Sequence, residues 1–75
     1  METRTVKLTR IPVELYKVLK FETLAASGGE AKHMIAGGRV MVNGKIETRK
    51  QKKIYPGDVI ETEGCRLEME TAAVT

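Results

Sequence analysis

The amino-acid sequence predicts an α+β fold, in which two short antiparallel helices pack on a small, mainly antiparallel sheet of four to five strands. Two apolar stripes at helical spacing, around Leu15 and Met34, indicate the helices. An Asn43-Gly44 dipeptide next to short apolar segments indicates a tight β-hairpin. The chain has 75 residues, so we expect a single small domain over residues 1–75.

The first third of the chain is predicted to hold one strand and one helix. Apolar and polar residues alternate over Thr5–Thr9, which predicts a short strand. Apolar residues then recur at helical spacing, and we predict an amphipathic helix over Val13–Ala25. Pro12 suits the first turn of that helix, where a backbone N–H has no intrahelical partner.

The second helix has a start signal and a stop signal. Ser27 and Glu30 have the spacing of a capping box, in which the Ser27 hydroxyl accepts from the Glu30 N–H and the Glu30 carboxylate accepts from the Ser27 N–H. An apolar stripe follows, and Gly37 and Gly38 are predicted to end the helix. This short helix needs tertiary packing, and we expect it to lie against the first helix.

The remaining segments predict hairpins joined by turns and a loop. After the Asn43-Gly44 hairpin, the basic run Thr48–Lys53 lacks apolar periodicity and is predicted to be an exposed loop. Pro56–Asp58 predicts a turn. Strands are predicted over Val59–Thr62 and Cys65–Met69, with Glu63 and Gly64 as the turn between them.

Positive charge is concentrated in one segment. The formal net charge is +3, but the segment from Arg39 to Lys53 alone carries +5, from six cations and Glu47. The other 60 residues carry −2. With so few acidic residues nearby, we expect these cations to lack local acidic partners. This asymmetry favours a polyanionic partner, and charge alone leaves RNA, DNA and an acidic protein surface open.

Catalysis and metal binding have little support in the sequence. His33 is the only histidine and Cys65 the only cysteine, and they lie in separate predicted elements. A zinc site normally needs four ligands, mostly Cys and His. Gly28 and Gly29 precede no Walker pattern, although a phosphate at this helix start remains an alternative. We expect a non-enzyme with no cofactor, no metal and no small-molecule substrate.

The remaining composition indicates where the protein acts and how it recognises a partner. The N-terminus lacks the apolar stretch of a secretory signal, and no apolar run is long enough to cross a membrane. We therefore expect a cytoplasmic protein without a membrane partner, and a monomer. The chain has only two tyrosines and one phenylalanine, so base stacking is disfavoured against recognition of shape and phosphates.

The ordered set of motifs resembles a known family, the proteins with the alpha-L RNA-binding motif of ribosomal protein S4. The chain as a whole is similar to the small stand-alone S4-like RNA-binding proteins of bacteria. The resemblance covers roughly Leu15 to Ile60, within a core motif of about 13–60. It is carried by Ser27-x-x-Glu30-Ala31-Lys32, Ile35, Gly38, Val40, Val42-Asn43-Gly44 and Gly57-Asp58-x-Ile60.

The resemblance implies that RNA lies over the second helix, the following strand and the basic loop. Many family members have arginine after the serine, where this chain has Gly28, which removes one phosphate contact. Together with the charge cluster, the resemblance implies an RNA-binding set of Lys32, Arg39, Asn43, Lys45, Arg49, Lys50, Lys52 and Lys53.

The resulting expectation is a non-enzymatic protein that binds structured RNA, such as rRNA or tRNA, through a basic surface of helix and hairpin. The alternative is a protein-interaction or ribosome-docking module that uses the same basic face. Both expectations rest on charge and shape, which carry little information about the identity of a nucleic-acid target.

Overall fold

The computed structural model describes residues 1–72, so the last three residues of the predicted domain lie outside the described part of the chain. Two helices and seven strands follow one another in this part. In chain order they are β1 (Glu2–Leu8), β2 (Val13–Glu14), α1 (Leu15–Phe21), α2 (Gly28–Ala36), β3 (Met41–Val42), β4 (Lys45–Ile46), β5 (Lys53–Ile54), β6 (Val59–Thr62) and β7 (Cys65–Thr71).

Five of these strands form one sheet in the order β1-β7-β6-β3-β4, and β2 and β5 form a separate two-stranded ribbon. Only the β1–β7 pair is parallel, whereas β7–β6, β6–β3 and β3–β4 are antiparallel. The predicted fold class, two helices with a small and mainly antiparallel sheet, is therefore confirmed.

The parallel pair changes the length of both outer strands. β1 pairs with β7 from Glu2–Cys65 to Leu8–Thr71. The first strand is therefore longer than the predicted Thr5–Thr9, and the last strand continues beyond Met69. Local alternation did not reveal these extensions because the extra residues are ordered by hydrogen bonds to a strand more than sixty positions away.

The hydrophobic core lies between the sheet and the two helices. In β7, residues at every second position point inward, including Leu67 and Met69 as predicted. The helices contribute Leu15, Leu19 and Ile35, which have no exposed surface. The largest fully buried side chains across the described residues are Leu15, Leu19, Ile35, Ile54, Ile60, Leu67, Val18 and Val40.

The first helix is shorter than predicted at both ends. Val13 and Glu14 pair with β5 as a strand, so α1 begins at Leu15 and Pro12 lies before the ribbon rather than in a helical turn. At the other end, Thr23 adopts a φ of 58° and reverses the chain after Phe21. The apolar periodicity overran the helix because residues 24 and 25 still face the core from this turn.

The second helix agrees with its start and stop signals except in one hydrogen bond. The Ser27 hydroxyl accepts from the Glu30 N–H at 3.1 Å, as predicted. The Glu30 carboxylate accepts from the N–H of Ala26 at 3.4 Å, however, and not from that of Ser27. The helix ends at Ala36, and Gly38 takes the left-handed conformation with a φ of 77°.

Tight turns close both predicted hairpins. Asn43 and Gly44, with φ of 53° and 83°, join β3 to β4. Both central residues of this turn need positive φ, which Asn and Gly tolerate best. Glu63 and Gly64 join β6 to β7 in the same way, with φ of 50° and 75°.

Candidate nucleic-acid interface

The basic loop (residues 48–52) is exposed, as predicted, except at Lys52, which is half-buried, and its backbone is anchored to the start of α1. Within residues 1–72, no side chain caps this helix. Instead, the N–H of Leu15 donates to the carbonyl of Lys52 at 2.9 Å, and the N–H of Tyr16 donates to the carbonyl of Lys50 at 3.4 Å. Lys53 belongs to β5, which corrects its predicted place in the loop. The cations of this segment therefore sit on an ordered backbone.

One carboxylate inside the cluster organises the start of the basic loop. Glu47 accepts hydrogen bonds from the backbone N–H of Arg49 at 3.0 Å and from its guanidinium Nε at 3.0 Å. The side-chain bond from Arg49 holds the pKa of Glu47 below its ordinary value and raises the pKa of Arg49 in turn. The Glu47 side chain is only 14% exposed, whereas that of Arg49 is 72% exposed.

The expectation that these cations lack acidic partners is therefore wrong for two of them. Arg49 pairs with Glu47, and Arg39 pairs with Glu63 in the turn between β6 and β7. The sequence did not indicate the second pair because Glu63 lies outside the basic segment and is brought to Arg39 by the sheet.

An open groove of about 730 Å³ lies beside the basic loop. We call it the basic groove. Its seven lining residues are Lys32 of α2 together with Arg49, Lys50, Gln51, Lys52, Lys53 and Tyr55. Five of the eight predicted site residues thus meet in one concavity, although Lys32 is far from the others in sequence. Like charges this close favour a bound anion, since an anion reduces their mutual repulsion.

Tyr16 positions the helix side of the basic groove. The ammonium of Lys32 lies 4.5 Å from the centroid of the Tyr16 ring, a cation–π distance. The same ring packs against the first residue of α2, since a Cβ added at Gly28 would lie 3.6 Å from it. The sequence did not indicate this role of Tyr16, because no local pattern links it to Lys32.

The other three predicted site residues lie outside the basic groove, around the β3–β4 hairpin. Arg39 precedes β3 and is held by Glu63. Lys45 is exposed in β4, at the edge of the sheet. These two cations therefore extend the positive surface and do not line the groove itself.

The side chain of Asn43 is occupied within the chain. Its amide donates to the Asp58 carboxylate at 3.0 Å, and its carbonyl accepts from the N–H of Val59 at 2.9 Å. The second oxygen of Asp58 accepts from the N–H of Tyr55, a groove-lining residue, at 2.8 Å. Asn43 thus fastens the hairpin to the turn beside the basic groove, a role that the sequence did not indicate.

Ion pairing divides the cations of residues 1–72 into two groups. Six of them pair with carboxylates, among them Arg4, Lys7 and Arg66, which lie on strands β1 and β7. Lysines without an ion pair include four that line the basic groove: Lys32, Lys50, Lys52 and Lys53. Four of the seven cations without an ion pair in residues 1–72 therefore lie in the groove.

The only histidine and the only cysteine of the chain, His33 and Cys65, lie on different elements, α2 and β7. His33 is exposed on α2. Cys65 is buried, and burial raises the pKa of its thiol, which donates to Glu2 at 3.5 Å. Within residues 1–72, no group of three or more His, Cys, Asp or Glu side chains is arranged to hold a metal ion. None of the helices in this part is long and apolar enough to span a membrane.

Relatives of this chain have names that refer to RNA and ribosomes. It is 46% identical over 57 residues to the putative RNA-binding protein YbcJ of Escherichia coli (strain K12), covering 76% of this chain and 81% of YbcJ. It is 38% identical over 52 residues to the probable ribosome maturation protein RlbA of Bacillus subtilis (strain 168), covering 69% of this chain and 73% of RlbA.

The fold also matches a solved structure from the same set of relatives. The solution structure of YbcJ from E. coli, described as revealing an alpha-L motif involved in RNA binding, superposes with a TM-score of 0.66. The match has 37% sequence identity and covers 95% of this chain and 89% of YbcJ. The S4 domain model matches residues 6–70, nearly the whole sequence. The chain therefore belongs to the S4 domain family.

Proposed function

We propose that this protein binds structured RNA, such as rRNA or tRNA, through the basic groove and catalyses no reaction. The observation that carries the proposal is the groove itself, in which five cations from α2, the basic loop and β5 converge. Membership of the S4 domain family and the similarity to a putative RNA-binding protein support RNA over other polyanions.

The groove would act by holding cations in place before RNA arrives. The backbone of the basic loop is fixed by α1 and by the β2–β5 ribbon, so little conformational entropy is lost from the loop on binding. Each phosphate that meets a lysine releases condensed counterions, which provides a salt-dependent driving force. Groove and hairpin together would present the RNA backbone with a shaped positive surface, suited to structured RNA.

The eight predicted residues have different roles within this proposal. Lysines 32, 50, 52 and 53 and Arg49 would contact phosphates in the groove. Arg39 and Lys45 would contact a flanking part of the RNA backbone. Asn43 would act as a positioning residue, because its amide and carbonyl are already bonded within the chain.

The proposal requires no second copy of the chain, since the basic groove is complete within one molecule. We therefore propose a monomer. We place it in the cytoplasm because ribosomal and transfer RNA are found there.

A salt titration with matched variants tests the proposal. Binding of an rRNA hairpin is measured across salt concentrations for the wild type and for Lys50→Ala/Lys53→Ala. The control is Lys7→Ala/Arg66→Ala, which removes the same charge from the sheet face opposite the core. With about five phosphates engaged, the slope of log K against log salt is about −3.5 to −4.5. The groove double variant should lower its magnitude by about 2, and the control should leave it unchanged.

Two results would contradict the proposal. Equal slopes for the two double variants would show that net charge, and not the groove, determines binding. Capture of an acidic protein that survives nuclease treatment and is lost only in Lys50→Ala/Lys53→Ala would favour the protein-interaction or ribosome-docking alternative.

A further inference from the structure

A second open hollow, of about 660 Å³, lies on the exposed side of α1. We call it the α1 hollow. Lys53 lines both this hollow and the basic groove, and Tyr16, which lines the hollow, lies beneath the groove residue Lys32. The two concavities are therefore neighbours that share a wall. The eight predicted site residues include only Lys53 from the α1 hollow.

We propose that bound RNA continues from the basic groove into the α1 hollow, where Phe21 stacks on an unpaired base. The preferred target would be a structured RNA in which a duplex is flanked by single-stranded nucleotides. The inference rests on the proposed RNA-binding function and extends it to a class of RNA.

The lining of the α1 hollow carries an excess of positive charge. Arg10 and Lys20 line it, and neither forms an ion pair within residues 1–72. Lys17 also lines it and pairs with Glu14 at 3.2 Å, which neutralises the one carboxylate of the hollow. Of the seven unpaired cations in the described chain, all but Lys45 line the groove or the hollow: Arg10, Lys20, Lys32, Lys50, Lys52 and Lys53.

The side chains of α1 point in two directions, toward the core and toward the α1 hollow. The helix buries Leu15, Val18 and Leu19 against the core. Lys17, Lys20 and Phe21 are spaced three and four positions apart, so they share another face of the helix, toward the α1 hollow.

Phe21 is an aromatic side chain without a place in the core. It is 67% exposed, whereas the aliphatic residues of α1 are buried. A base has an apolar face that can cover such a ring, and the adjacent cations would hold its phosphate. The low number of aromatic residues in the sequence disfavours stacking of several bases. One ring beside the cations of the α1 hollow is enough to stack on one base.

A protein ligand is the competing occupant. Phe21 also borders a small, largely apolar cleft of about 120 Å³ that includes Val6 and Leu8. Continuity with the basic groove through Lys53 and the unpaired charges of Arg10 and Lys20 favour a polyanion. Binding measurements on variants of Phe21 would give a different result for each occupant.

The test compares three RNA probes: a blunt hairpin and the same hairpin with a short single-stranded extension at either its 5′ or its 3′ end. Wild-type protein should bind one extended probe about 5- to 140-fold more tightly than the blunt probe, the effect of stacking one base. Phe21→Ala and Phe21→Leu should both lose most of this preference and bind the blunt hairpin as the wild type does. The leucine variant separates stacking from simple apolar contact.

Two further variants sharpen the result. Ile46→Ala removes a side chain that is 65% exposed but lies outside the α1 hollow, so it should keep the preference. Phe21→Trp introduces the only tryptophan of the chain, whose fluorescence should be quenched more by the extended probe than by the blunt one. Thermal unfolding of each variant verifies folding.

The outcomes separate this inference from the proposed function. If the wild type binds all three probes equally, or Phe21→Ala keeps the preference, the inference is overturned while salt-dependent binding of the blunt hairpin still supports the function. Binding to no probe overturns both. A partner protein captured by the wild type and lost in Phe21→Ala, with RNA binding unchanged, assigns the α1 hollow to a protein.

Discussion

The side chains around the basic groove form two groups. One group positions the groove through hydrogen bonds within the chain, and the other consists of lysines whose charge is not paired with a carboxylate of residues 1–72. Glu47 accepts hydrogen bonds from the backbone N–H and the guanidinium of Arg49. Asn43 donates to Asp58 and accepts from the N–H of Val59, and Asp58 also accepts from the N–H of Tyr55. The lysines of the groove form no ion pair within residues 1–72. Local rigidity and available charge therefore come from different side chains.

Substitution of Asn43 should lower the stability of the fold more than it lowers the affinity for RNA. Asn43→Gly keeps the positive φ but loses the bonds to Asp58 and Val59, and we expect a loss of about 1–3 kcal/mol in the free energy of unfolding. Asn43→Ala should lose about 1 kcal/mol more, because alanine resists the left-handed conformation. Denaturant unfolding measures both. Unchanged stability with weaker RNA binding would instead identify Asn43 as a direct contact.

Glu47 should make stability depend on pH. Its folded-state pKa is lowered from 4.5 by Arg49, so the pair stabilises the fold above that value and stops doing so as pH falls through the lower folded pKa. Glu47→Gln should be less stable than the wild type at pH 7, and the difference should shrink in acid. Unfolding at neutral and acidic pH tests this. A difference that is equal at both would show that protonation of Glu47 has no part in it.

At the scale of elements, the basic loop and α1 complete one another. The loop carbonyls satisfy the first N–H groups of the helix, and the helix orders the loop that carries the cations. Neither partner shows this relationship in its own sequence, because α1 lacks a side-chain cap and the loop lacks apolar periodicity. The sequence therefore predicted an exposed loop but not its anchored backbone.

The contact between the two helices should influence binding through Lys32. Tyr16→Leu removes the ring beneath the ammonium, a contact of about 0.5–1 kcal/mol at an exposed site. RNA would then have to order Lys32 itself, so affinity for an rRNA hairpin should fall about twofold to fivefold. Tyr16→Phe keeps the ring and should bind like the wild type. If Tyr16→Phe and Tyr16→Leu weaken RNA binding equally, the Tyr16 hydroxyl and not its ring is responsible for the loss of affinity.

At the scale of the whole molecule, paired and unpaired charges lie on different surfaces. The sheet face opposite the core carries cations matched by carboxylates, such as Lys7 with Glu70 and Arg66 with Glu68. The side with α1, α2 and the basic loop carries nearly all the unmatched cations. The matched double variants in the salt titration compare these two surfaces directly at equal net charge.

The distribution of paired and unpaired charge also shows which residues of the basic surface could be predicted from the sequence. The segment from Arg39 to Lys53 was identified by its charge, and four of its six cations meet in the basic groove with Lys32, which the family resemblance implied. The charge of this segment did not indicate Arg10 and Lys20, because they are distant from it in sequence. They lie in the α1 hollow, which is connected to the basic groove through Lys53. The count of charges in the segment also overestimated the charge that Arg39 has available for RNA, because Arg39 pairs with Glu63 of another hairpin.

By itself, the sequence determined the features that depend on a few neighbouring residues. The Asn43-Gly44 turn, the Ser27 cap and the Gly38 stop follow from backbone conformation and local hydrogen bonds. Only the tertiary structure decided the parallel β1–β7 pair, the docking of the basic loop on α1 and the assembly of the groove. These depend on contacts between distant residues, whose formation is governed by burial and by hydrogen bonds across the whole chain.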